Sequence, residues 1–130
     1  MNKDLKTRED VHLLVSKFYE LIRGDEEIGY FFNNTIKNWD EHINKLTDFW
    51  ESNLFFKNEY LGNPKKAHID VDVSHQNKIE NRHFGIWLNY WFKTIDTLFE
   101  GPMAEKAKNN ARKMSFHFYL HIFQNRKSKA

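Results

Sequence analysis

What most limits the shapes open to this chain is where its helical periodicity is broken. Breaks fall at Gly24, at Gly62-Asn63-Pro64 and at Gly101-Pro102, and between them apolar residues recur every three or four positions. The first stretch is predicted to start at Thr7, with Asp10 completing a capping-box pair, and to stop at Gly24. Its stripe is Val11, Leu14, Val15, Phe18 and Ile22, and Tyr19 joins it through Val15 and Ile22, so its phenol is expected to be at least partly buried. Tyr30, Phe31, Phe32 and a loop "NNTIKN" follow. A second helix, "WDEHINKLTDFWESNLFF", carries Trp39, Leu46, Phe49, Trp50 and Leu54 on one stripe, with His42 on that same stripe. A third presents Phe84, Trp87, Leu88, Trp91, Ile95, Leu98 and Phe99 and ends at the Gly-Pro pair. The last opens with Pro102 in its first turn and buries Met103, Ala107, Ala111, Met114, Phe118 and Ile122. Amphipathic helices joined in this way predict an all-α fold. The exception is "HIDVDV", which alternates at period two. An isolated strand has no partner in a helical chain, so this segment is read as extended or irregular backbone held by something other than its own propensity.

With 130 residues, 40% of them apolar and 16% aromatic, one core suffices, and residues 1–130 are read as one domain with about eight peripheral residues at each end. The 20 basic and 18 acidic residues are mixed along the chain, too balanced for a general nucleic-acid surface. No apolar run approaches the ~18 residues of a membrane span, and "MNKDLKTRED" lacks the pattern of a signal peptide. The expectation is a cytoplasmic protein with neither nucleic acid nor membrane as partner. The absence of cysteine excludes disulfide scaffolds, thiolate metal sites, iron–sulfur clusters and CxxCH haem attachment.

Of the seven histidines, His12, His75 and His83 are read as ordinary core or boundary residues. His117 and His121 share a helical face at a spacing used by zinc sites, but a third ligand and the glutamate of an HExxH motif are missing. His42 and His68 differ in their company. A planar apolar cofactor with a metal at its centre needs a neutral imidazole on one side, a polar group on the other and aromatic walls. His68 on irregular backbone, His42 and Tyr19 on separate helical stripes, and Phe32, Phe49, Trp50, Trp87 and Trp91 supply candidates for each part. Composition and spacing alone leave an aromatic-rich bundle core equally open.

The succession "FYELI", "YFFNNTIKNWDEHINKLTDFWESNLF", "YLGNPKKAH" and "HFGIWLNYW" resembles the truncated haemoglobins, the two-over-two globins, and among them the third group, over residues 10–120. The double-glycine motifs of the other two groups are absent, with "RGDEE" and "LGNP" in their places. The resemblance implies a two-over-two globin fold enclosing a non-covalent b-type haem (iron protoporphyrin IX). It makes His68 the proximal ligand of a five-coordinate iron, with His75 a rival disfavoured by the "NPxxxH" context. Tyr19, His42 and Trp87 match the distal polar residues, and Phe32, Leu46, Phe49, Trp50 and Phe84 match positions around the cofactor. Lys45, three residues after His42, is either a partner for a haem propionate or an ordinary solvated lysine.

Three functions then compete. One is redox chemistry on oxygen, peroxide or nitric oxide by a monomer served by a reductase, with carbon monoxide as a further ligand. Another is oxygen storage or transport, for which three polar groups over the iron would slow release too far. The third is a helical interaction module without haem.

Overall fold

The computed structural model describes residues 2–55 and 81–128, with side chains as far as Gln124 and excepting Asn81. His68, His75 and the "HIDVDV" segment lie outside the described residues. Five helices are present among those described: α1 (Arg8–Arg23), α2 (Gly29–Asn33), α3 (Trp39–Phe55), α4 (Asn81–Leu98) and α5 (Pro102–Ser128). The described residues include no strand, and the fold is all-α as the periodicity predicted.

Helix α1 begins as its sequence dictates. The Thr7 hydroxyl accepts from the Asp10 amide at 3.1 Å, and the Asp10 carboxylate accepts from the Thr7 amide at 3.2 Å, so two otherwise orphaned N–H groups are satisfied reciprocally. The helix ends at Gly24. Its buried face packs against both α3 and α4, α4 packs on α5, and α3 also touches α5. Val11, Leu14, Val15, Phe18 and Ile22 from α1 meet Trp50 and Leu54 from α3, Trp91 and Ile95 from α4, and Ala107, Ala111 and Ile122 from α5. The Trp91 indole N–H donates to the Ala107 carbonyl of α5 at 3.2 Å. A buried indole thereby keeps a hydrogen-bond partner.

Three features depart from the sequence reading. Residues 29–33 form a short helix, α2, where only aromatic residues before a loop were anticipated. In α3 the fully buried positions are Thr47, Trp50, Glu51 and Leu54, while Trp39, His42, Leu46 and Phe49 are half-buried. Glu51 tolerates burial because the Arg8 guanidinium stands 3.2 Å from its carboxylate, and Arg8 also pairs with Asp48 at 2.6 Å.

The N-terminal residues, expected at the periphery, are instead built into the body. Leu5 is a core residue, and the Asp4 carboxylate caps α5 by accepting from the Met103 amide at 2.9 Å and the Ala104 amide at 2.8 Å. The approach is close: a Cβ on Gly101, whose φ is +141°, would lie 2.6 Å from the Asp4 side chain. A glycine is therefore required there both for its backbone angle and for space.

Candidate functional site

Helices α1, α3 and α4 bring Tyr19, His42 and Trp87 together. Tyr19 leaves the α1 stripe facing α3 and is only 7% exposed. Its ring meets that of His42 edge-on at 5.8 Å, with Phe32 at 5.7 Å and Trp39 at 5.7 Å. From α4, the Trp87 indole donates a hydrogen bond to the phenol oxygen. Burial pushes the Tyr19 phenol well above the usual tyrosine range, and the bond from Trp87 offsets part of that rise. With its oxygen already accepting from Trp87, the hydroxyl is set to donate its own proton elsewhere, and among the described residues no hydrogen bond takes that proton. A buried donor without an acceptor is costly unless something polar arrives to meet it.

His42 is half-buried between Tyr19 and Trp39, whose ring lies 5.7 Å away edge-on. Burial, and to a smaller extent the charge of Lys45, lowers its imidazole from 6.5 to about 4. His42 is therefore neutral at physiological pH and able both to donate and to accept. Between those two values the unfolded chain takes up a proton that the folded chain refuses, so the fold loses stability as pH falls through this window. His42→Gln should accordingly show a shallower fall in melting temperature from about pH 7 to about pH 4.5 than the parent chain. Equal slopes would mean that another group governs acid stability.

The remaining predicted residues differ in burial. Phe32, Leu46, Phe49 and Phe84 are half-buried hydrophobics packed on the core, and Lys45 is exposed. Trp50 is buried and stacks on Trp91 at 4.6 Å, and Trp91 in turn stacks on Trp87 at 5.8 Å. This column of indoles holds Trp87 from behind. Phe18 braces the same group, edge-on to Tyr19 at 4.8 Å, Trp87 at 5.2 Å and Trp91 at 5.0 Å.

Two contributors were missed from the sequence. Trp39 packs tilted against Tyr19 at 5.7 Å, and the Arg23 guanidinium lies over the Trp39 ring at 4.3 Å. Beside them opens a cleft of about 370 Å³ of mixed polarity, lined by Tyr19, Glu20, Arg23, Trp39, Asp40 and Ile43 among others. The sequence carried a signal for each: Trp39 shares the α3 stripe with His42, and Arg23 follows Tyr19 by four residues, which puts both on one side of α1. Elsewhere His83 is buried edge-on against Phe31 at 5.0 Å, while His117 is exposed. No group of three or more His, Cys, Asp or Glu among the described residues is placed to hold a metal ion, so the zinc spacing in α5 gains no third ligand there.

No family model matches the chain. It is, however, 30% identical over 121 residues to the group 3 truncated haemoglobin of Campylobacter jejuni, covering 90% of this chain and 91% of that protein. The chain belongs to the group III truncated haemoglobins. The crystal structure of the group III truncated haemoglobin from Campylobacter jejuni superposes with a TM-score of 0.83 at 27% identity, over 94% of this chain and 95% of that one. Agreement over nearly the whole length assigns the described helices to this globin fold. Within this truncated haemoglobin, the three polar groups contributed by α1, α3 and α4 are the feature that calls for a chemical explanation.

Proposed function

We propose that this chain binds a non-covalent b-type haem and carries out redox chemistry on diatomic ligands, consuming nitric oxide or reducing oxygen and peroxide species. The observation that carries the proposal is the buried Tyr19 hydroxyl, fixed by Trp87 and facing His42, with its proton uncommitted among the described residues. The residues present suit such a cofactor. They offer apolar walls from Phe32, Leu46, Phe49, Trp50, Phe84 and Trp87, and the lack of cysteine agrees with non-covalent attachment.

When bound, haem supplies an iron that accepts diatomic ligands and changes oxidation state. His68, the residue that the family resemblance aligns with the proximal position, would hold that iron through a neutral imidazole nitrogen. Lys45, exposed three residues after His42, would pair with a carboxylate of the cofactor. Tyr19 would donate its hydroxyl proton toward negative charge on a bound ligand, and the Trp87 N–H, by polarising the Tyr19 oxygen, would strengthen that donation in a dry site. His42, neutral under working conditions, adds a polar group that donates or accepts. The chain acts as a single-domain monomer in the cytoplasm and receives electrons from a separate reductase.

Storage or transport of oxygen is disfavoured by the same cluster, since donors aimed at a ligand slow its release. Repeated addition of nitric oxide to the aerobic protein with a continuous supply of reductant distinguishes the two. A redox role should give sustained turnover, with one nitrate formed and one electron taken up for each nitric oxide and each oxygen consumed. A single stoichiometric conversion to the ferric form, with no further turnover, would favour storage.

A further inference from the structure

The charges of this chain are divided along its length. Residues 1–101 carry 17 acidic and 13 basic side chains, whereas α5 (Pro102–Ser128) carries six lysines and arginines against the one acid Glu105. Part of that positive charge is turned inward: Lys106 donates to the Leu54 carbonyl at 3.1 Å, and Lys108 pairs with Asp96 and Glu105. Arg112, Lys113 and His117 are exposed on the outer face of α5. In their midst Phe116 is 63% exposed, and one to two turns further Phe123 is 41% exposed. Arg112 lies over the Phe92 ring at 4.6 Å and bonds Asn109, so its charge is held in place beside that of Lys113. Exposed aromatic residues flanked by fixed cations are the composition of an interaction surface rather than of a solvated helix face.

This patch is connected to the cofactor side. Phe123 stacks on Tyr119 at 6.4 Å, and Tyr119 meets Phe84 edge-on at 6.0 Å. Phe84 is one of the walls in the cofactor reading. The surface around Phe116 and Phe123 is thus two ring contacts from the proposed haem site.

We propose that the outer face of α5, with Phe116 and Phe123 set among Arg112, Lys113 and His117 and linked through Tyr119 to Phe84, is the docking surface for an acidic electron-carrier protein. The inference rests on the haem reading for what the electron is for. Charge fixes the sign of the partner: Arg112 and Lys113, exposed with no acidic residue of α5 beyond Glu105, attract carboxylates and repel a second copy of the same face. The size fits a transient encounter, because one strongly exposed aromatic residue with a charged rim resembles the small interfaces of redox pairs more than those of permanent dimers. In the step served by this surface, one electron leaves the reduced flavin or iron–sulfur centre of the carrier and arrives at ferric iron. The carrier is oxidised by one electron, the iron is reduced by one, and no covalent bond forms or breaks.

The test uses the full-length haem-loaded chain and a flavodoxin, an acidic carrier of one flavin, as probe. At about 20 mM salt, oxidised flavodoxin should shift the amide signals of Phe116, His117 and Tyr119, and affinity should fall as salt rises toward ~200 mM, because the Debye length contracts. Lys113→Glu should weaken binding about tenfold and slow reduction of the ferric protein by reduced flavodoxin to a similar degree, leaving reduction by dithionite unchanged. Phe116→Ser should weaken binding with little change in the salt dependence. Both substitutions lie on the surface, and an unaltered circular dichroism spectrum confirms folding. The docking proposal is overturned if flavodoxin does not bind, if it binds Lys113→Glu as tightly as the parent, or if its shifts lie away from α5. It is equally overturned if vesicles of 30% phosphatidylglycerol in phosphatidylcholine capture the chain through Phe116 while flavodoxin does not. Absorption of the same sample reports the cofactor separately: a haem-loaded chain that ignores flavodoxin removes the docking alone, and a chain that docks without haem removes the cofactor reading alone.

Discussion

His68→Ala should be purified without tightly held haem, or with iron whose proximal bond is too weak to survive gel filtration, while His42→Ala retains its cofactor. The asymmetry follows from the two environments. His42 sits half-buried against Tyr19 and Trp39, where burial and Lys45 keep it neutral, and its loss removes one polar group from an otherwise intact aromatic wall. His68 follows the "NPKKA" break and is the imidazole that the family resemblance aligns with the proximal ligand. Haem that binds only the folded chain stabilises it by linkage, about 2.7 kcal/mol at a hundredfold excess over its dissociation constant, so His68→Ala should also lose the rise in melting temperature that haemin brings. Loss of the cofactor in His75→Ala but not in His68→Ala would transfer the proximal role to His75.

Tyr19→Phe should release oxygen roughly 5- to 150-fold faster, the consequence of removing one hydrogen bond worth roughly 1–3 kcal/mol to a charged partner. Carbon monoxide, with less charge on its outer atom, should respond far less. This contrast isolates polarity from volume, because an enlarged pocket would speed both ligands together. The Trp87 bond to the Tyr19 oxygen adds a second expectation. Trp87→Phe should also accelerate oxygen release, but by less than Tyr19→Phe if the indole acts through the phenol. The reverse order would make Trp87 the direct donor and Tyr19 the group that orients it. Laser photolysis and stopped-flow displacement on both variants measure these rates.

Much of this site could be read from residue order because its parts lie on long, regular helices. The Thr7–Asp10 capping box set the start of α1, and the Val15–Ile22 spacing put Tyr19 inside. The face of α4 likewise carried Trp87 and Trp91 inward. What escaped is what periodicity does not encode. Helix α2 has five residues, too few to display a helical repeat. Glu51 was passed over as a charge, and its burial makes sense only with Arg8 from another helix. Asp4 looked like part of a solvated end, yet its two amide partners lie 99 and 100 residues away. Trp50 was read as a cofactor wall from its stripe, and its stack on Trp91 is a contact between helices that no single stripe reveals. Local patterns specified the elements and their inward faces, and long-range pairs decided which inward residues meet.

The most direct test of the account is a titration of the purified chain with haemin, followed by absorption. A Soret band in the usual ~400–430 nm haem region should grow until it saturates at one haem per chain, with a melting temperature that rises in parallel. Absorbance confined to the aromatic band near ~280 nm, with a melt indifferent to haemin, would contradict it and leave the Tyr19–His42–Trp87 cluster as the packing of a helical module.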